Sequence, residues 1–204
     1  MRIESENGWD RVIHNFEELN RHYVAVGFFG GEKDRILMIA HVNEYGAIIT
    51  PKKGQWLTLP TKDTPRRADG SAVPAREIPG LFKPKGKHVL CVSDGKGSLT
   101  VMYVLVKKVH IPARPFMRST LNNNLSKYQQ MVFKCLDKIM AGHWDWHEAL
   151  KWIGETCVTD MQDSITNWTT PPNAPLTVSR KGVGDPLVDT GSMRNAVTFK
   201  IMEG

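Results

Sequence analysis

Residues 116–170 constrain the fold more than any other part of this chain. Pro115 opens the window and Pro171-Pro172 closes it, positions that start and stop helices. Within it, Leu121, Leu125, Tyr128, Val132, Cys135, Leu136 and Ile139 recur at helical spacing up to Gly142. A second series follows Asp145: Trp146, Leu150, Ile153, Cys157, Met161, Ile165 and Trp168. Ser119 or Thr120 is expected near the first cap and Asp145 at the second. Two amphipathic helices joined by so short a turn must form an antiparallel hairpin. Their stripes need a sheet to cover them.

The strands for that sheet lie on both sides. Tyr23–Phe29 reads as a strand closed by Gly30-Gly31. It follows a helix over 8–20, with Trp9, Val12, Ile13, Phe16 and Leu19 on one face and Ser5 or Asn7 as cap. Asp34 caps a short helix that stops at Gly46. At the other end, Val197, Phe199 and Ile201 alternate with Ala196, Thr198 and Lys200, as in a half-buried strand. The expected class is α+β: a small mixed or antiparallel sheet packed by a long two-helix hairpin. Residues 1–50 and 111–204 form its core domain.

Residues 51–110 read as a basic β insertion. Trp56–Pro60 is a short strand, Thr61–Pro79 a long mobile loop, and 88–92 with 99–106 a β-hairpin around Asp94-Gly95-Lys96-Gly97. The chain of 204 residues has a formal net charge of +6. Residues 50–118 hold 14 Lys or Arg against 4 Asp or Glu, so the remainder is slightly acidic. Such a basic middle fits a nucleic-acid-binding assembly factor, a partner with an acidic surface, or a solvated loop region. Its aromatics, Trp56, Phe82 and Tyr103, are not interleaved with the charges along the chain.

Chemistry is sparsely signalled. The cysteines Cys91, Cys135 and Cys157 are odd in number and far apart, which suits buried free thiols in a reducing cytoplasm. No zinc spacing, and therefore no metal or cofactor site, is read. No apolar run approaches the ~18–20 residues of a membrane span, and no secretory h-region is seen. His143-Trp144-Asp145-Trp146-His147 reads as a helix–helix turn pinned by two tryptophans. Gly30-Gly31-Glu32-Lys33 sits where a phosphate can be cradled, without the full phosphate-loop spacing. Asp189-Thr190-Gly191 is the local signature of aspartic proteases, but it occurs once. Only a homodimer could supply the required pair of carboxylates. The turn reading, with Asp189 and Thr190 bonding nearby backbone N–H groups and Gly191 taking φ > 0, needs no such partner. No catalytic residue is assigned.

One strap remains. Ile111-Pro112-Ala113-Arg114-Pro115-Phe116-Met117-Arg118 runs from the hairpin into the long helix. Two prolines stiffen it, Phe116 and Met117 anchor it, and Arg114 and Arg118 are expected to project as rigid contacts for a neighbouring subunit.

Three segments in order, Asn43-Glu44-Tyr45-Gly46, the strap, and Pro186-Leu187-Val188-Asp189-Thr190-Gly191-Ser192-Met193, resemble the tail-completion (minor tail, head–tail neck) protein family of tailed bacteriophages. The resemblance covers the chain apart from 51–87. It implies a non-enzymatic virion protein, assembled in the host bacterial cytoplasm, that completes the tail at the neck. The protein would form a ring of itself, six copies by family analogy, around a channel that DNA crosses without sequence readout. Its other implied partners are neighbouring neck, tail-terminator or tail-tube proteins and the head-side connector. The structural or interface residues so implied are Glu44, Tyr45, Gly46, Arg114, Pro115, Phe116, Arg118, Asp189, Thr190, Gly191, Val197 and Phe199. The final strand and the β insertion are expected to supply the ring's heterologous contacts, for example by adding a strand to a neighbour's sheet edge.

Overall fold

The computed structural model describes residues 8–31, 34–182 and 184–204. The expected caps Ser5 and Asn7, together with Glu32 and Lys33, lie outside them. The long hairpin forms as anticipated from α3 (Phe116–Met140) and α4 (Trp146–Thr166). Asp145 caps α4 through a full capping box: Glu148 N–H donates to Asp145 Oδ1 (2.8 Å), and Asp145 N–H donates to Glu148 Oε2 (3.0 Å). A remote residue adds to this cap. Asn15 of α1 (Gly8–Arg21) is 2% exposed, and its Oδ1 accepts from Trp146 N–H at 2.9 Å.

The sheet is divided into three small antiparallel pieces. β1 (His22–Gly27) pairs with β7 (Thr198–Glu203), Tyr23 opposite Met202 and Val26 opposite Phe199. β2 (Ala47–Ile49) pairs with β6 (Val109–Ile111). The third sheet is drawn wholly from 57–106, in the order β3 (Leu57–Pro60), β5 (Leu99–Val106), β4 (Val89–Ser93). The expected β4–β5 hairpin is therefore present, with a bulge at Leu90/Cys91. Asp94 Oδ1 closes its turn by accepting from Lys96 and Ser98 N–H.

Helix α4 packs on both β1 and β7, and α3 packs on α4. The hairpin thus covers the ribbon through one helix, where both stripes were expected to do so. Gly154 makes the close approach possible: a Cβ there would lie 2.3 Å from Phe199 Cδ2. The main core joins Ala40, Phe116, Met161, Ile165, Leu187, Met193 and Val197. The α3 stripe accordingly rotates from its expected face. Phe116, Thr120, Met131, Cys135 and Ile139 are buried, whereas Leu121, Leu125 and Val132 are about half exposed. On α1 the buried line is Val12 and Asn15, and Trp9, Ile13 and Phe16 are exposed.

Three further corrections concern loops. The segment 61–79 is tied down and not a free loop. Thr61 Oγ1 donates to Val101 O (2.7 Å), Thr64 Oγ1 to Met102 O, and the buried Tyr103 hydroxyl to Val73 O. Those bonds satisfy edge groups that an untethered loop would leave to water. Residues Pro175–Lys181 form a short helix, α5, absent from the sequence expectation. Ser192–Asn195 is a single helical turn, α6, so the last strand begins at Thr198 and not at Ala196.

Candidate functional site

The strap and the two other marker segments meet at one place in the fold. Helix α2 (Arg35–Tyr45) begins at Asp34, whose Oδ1 accepts from Ile36 N–H (2.7 Å). It ends at Gly46, with φ 74°, and a Cβ there would lie 2.9 Å from both Ala113 N and Ile111 O. Only glycine lets the Glu44-Tyr45 turn pass so close to the strap in that backbone conformation. Arg114 N–H then donates to Asn43 O at 2.6 Å, fixing the strap beside the end of α2.

That approach delivers Glu44 to the start of α3. Its carboxylate is 2% exposed and accepts from Met117 N–H (2.9 Å), Arg118 N–H (3.3 Å) and Arg118 Nε–H (2.8 Å). An anion at a helix N-terminus satisfies orphan donors and meets the positive end of the helix dipole. The helix is preceded by Pro115, which offers no side-chain cap. Ser119 and Thr120, the expected caps, lie inside the helix, and Thr120 Oγ1 donates to Phe116 O (2.7 Å). Capping thus comes from a residue 73 positions earlier. Arg118 also places its guanidinium 4.9 Å from the centroid of the exposed Tyr45 ring.

Arg114 turns inward. It is 5% exposed, where the sequence pointed to an outward subunit contact. Nε–H donates to Pro171 O (3.0 Å), Nη2–H to Pro172 O (3.2 Å) and Asn173 Oδ1 (3.4 Å), and Nη1–H to Asn43 Oδ1 (3.3 Å). The rigid guanidinium fork can address all these neutral oxygens at once. Burial pushes its pKa down from the usual range, yet an arginine keeps its proton in a protein. The carbonyl dipoles stand in for a counter-carboxylate. Asn173 passes the link onward, its Nδ2 donating to Gly184 O (3.3 Å) and Asp185 O (3.0 Å). A hydrogen-bonded series thus runs from Asn43 through Arg114 and Asn173 to Asp185, the residue that precedes the third segment. Of the strap's two arginines, Arg118 is the one that reaches the surface, with 57% of its side chain exposed.

The third marker is anchored by packing. Leu187, Met193 and Val197 share the core with Phe116. Gly191 has φ 77°, as the turn requires. Thr190 Oγ1 bonds the Ser192 hydroxyl (2.6 Å) and accepts from Ser192 N–H (3.4 Å). Asp189 was expected to hold the turn in the same way, but it lines a polar pocket of about 310 Å³ with Arg35, Arg66, Arg180 and Lys181. Its charge there opposes the burial that lowers the Lys181 pKa.

A groove of about 400 Å³ runs beside this knot, between Val24 and Val26 of β1 and Tyr45, Arg118, Leu121 and Tyr128. The Tyr128 hydroxyl is buried without a hydrogen-bond partner among the described residues, and burial raises its pKa. Among the described residues, no group of three or more His, Cys, Asp or Glu could hold a metal ion. No helix among the described residues is long and apolar enough to cross a membrane. His143 and His147 flank the α3–α4 turn, where Trp144 packs edge-on to Trp152 (5.4 Å) and Trp146 stacks on His22 (4.3 Å).

Sequence reasoning missed Asn43, Asn173 and the Pro171-Pro172 carbonyls. The available signal was an Asn before the Gly46 turn and another just after the Pro171-Pro172 stop, a residue that readily bonds backbone. No protein-family model, curated protein or solved structure matches the chain.

Proposed function

We propose that this chain is a structural virion protein of a tailed bacteriophage, completing the tail at the head–tail junction as a ring around the DNA channel. The observation that carries the reading is the hydrogen-bonded series from Asn43 through Arg114 and Asn173 to Asp185, at the entry to the third segment, backed by the Glu44 cap on α3. Residues spent on locking a strap to a helix and a C-terminal loop suit a rigid assembly part. The exposed apolar side chains support it further. Tyr45, Ile48, Leu121, Leu125, Val132 and Phe133 are each 46–68% exposed, large apolar side chains available for protein contacts.

β7 pairs with β1 along one edge over Thr198–Glu203 and packs on α4, so it belongs to the core as well. In this two-stranded ribbon its second edge has no strand partner among the described residues and is open to a neighbour's strand. The exposed faces of α3 and the β2–β6 ribbon offer further ring contacts. Particles produced without this protein should contain heads and tails that do not join. Normal yields of infectious particles would overturn the proposal.

A further inference from the structure

We infer that one end of the three-stranded sheet is a docking surface for the phosphate backbone of duplex DNA, independent of sequence. Leu57 pairs with Val106 and Val89 with Val104, so Trp56, His88 and Lys107 emerge together at the same end of β3, β4 and β5. Trp56 organises that end. Lys83 Nζ lies 5.4 Å and Lys107 Nζ 5.8 Å from its ring, and His88 packs against it at 4.5 Å. Lys85, Lys87 and Lys108 adjoin these positions, and Lys52 and Lys53 lead into Trp56. All seven lysines are exposed.

The stretches that build this end, 51–57, 83–88 and 107–110, contain no Asp or Glu. None of their lysines makes an ion pair among the described residues, although Lys127 and Lys151 elsewhere do. Like charges are thus brought together by the fold with no internal carboxylate to neutralise them. Trp56, with no charged residue next to it in the sequence, has two distant lysines against its ring in space.

Chemistry favours a polyphosphate over an acidic protein. Protein interfaces rely on apolar and aromatic anchors and are depleted in lysine. Here the central Trp56 is already flanked by its own lysines, leaving ammonium groups as the outward chemistry. Lysine acts as a point charge toward phosphate and demands no fixed geometry. Duplex DNA offers a dense row of such charges and releases counterions when they are neutralised. Lysine contacts to phosphate carry no base-edge information, so binding through them should not depend on sequence. This inference does not rest on the ring reading.

The test uses fluorescence anisotropy of the full chain with labelled duplexes of two unrelated sequences. If Lys83, Lys85, Lys87, Lys107 and Lys108 each neutralise one phosphate, affinity should fall about 500-fold between 50 and 200 mM salt, equally for both duplexes. Replacing all five (Lys83→Gln, Lys85→Gln, Lys87→Gln, Lys107→Gln, Lys108→Gln) should abolish that binding. The corresponding five Lys→Arg changes should preserve it, as should Lys134→Gln with Lys138→Gln on α3. Circular dichroism checks that each variant is folded, and the arginine set keeps the test informative if the glutamine set is not. Absence of binding at 50 mM salt, unchanged binding by the folded glutamine variant, or loss in the arginine variant would each overturn the inference. So would tighter binding of poly-glutamate than of duplex, which would reassign the surface to an acidic protein.

Discussion

Removing the Glu44 carboxylate should destabilise the protein far more than removing its ion-pair partner Arg118. Glu44 is buried and accepts three hydrogen bonds, two of them from backbone N–H groups of the first turn of α3. Losing a helix cap costs about 0.5–2 kcal/mol. Leaving a buried donor unpaired costs about 1–3 kcal/mol, and the void left by truncation adds to both. These contributions overlap, so Glu44→Ala is expected to cost about 3 kcal/mol in total. Glu44→Gln keeps the volume and one acceptor oxygen but loses the charge at the helix terminus, and should cost about 1–2 kcal/mol. Arg118 is more than half exposed, so water screens its side of the pair. Arg118→Ala should cost no more than about 1 kcal/mol. Urea unfolding followed by far-ultraviolet circular dichroism measures all three. Equal losses for Glu44→Ala and Arg118→Ala would mean that the ion pair, not the cap, carries the interaction. A loss below about 0.5 kcal/mol for Glu44→Ala, the level of an ordinary surface change, would refute the capping argument.

Two other predictions follow from packing and burial. Gly154→Ala would normally stabilise a helix by about 1 kcal/mol, but here its Cβ meets the Phe199 ring. The melting temperature should fall, by the equivalent of about 1–3 kcal/mol, and Phe199→Leu in the same chain should restore part of it. A rise in melting temperature for the single variant would contradict the described α4–β7 contact. Burial pushes the Cys135 thiol up to about 11 from an ordinary value of 9.0. The folded state therefore resists forming a thiolate that the unfolded chain forms readily. The stability contribution is complete below about pH 9 and is lost as pH rises from there through about 11, the folded value. Cys135→Ala should flatten that alkaline decline relative to the parent chain, and an unchanged slope in urea unfolding across this range would exclude Cys135 as its source.

Local chemistry made much of the fold legible. The Asp145–Glu148 capping box, the Asp34 cap, the Asp94 turn and the 3.6-residue repeats of α3 and α4 all involve groups a few residues apart, so the chain itself brings them together. The order of the three marker segments was equally open to reading. What they do to one another was not. Glu44 and Met117 are 73 positions apart, Arg114 and Pro171 are 57 apart, and no propensity joins such pairs. The face of α3 turned on the same point. Leu121, Leu125 and Val132 look like core by spacing, yet of the two hairpin helices it is α4 that covers the ribbon, which leaves them about half exposed.

The sequence by itself determined helices α1 to α4, the β4–β5 hairpin, where the helical hairpin turns, and that a stiff strap enters α3, because covalent neighbours decide each of these. Tertiary structure alone decided that Glu44 caps that helix, that Arg114 locks three segments from inside, and that lysines from separate loops converge on Trp56. Those outcomes depend on which distant groups burial and backbone pairing force into contact, and burial is a property of the packed chain.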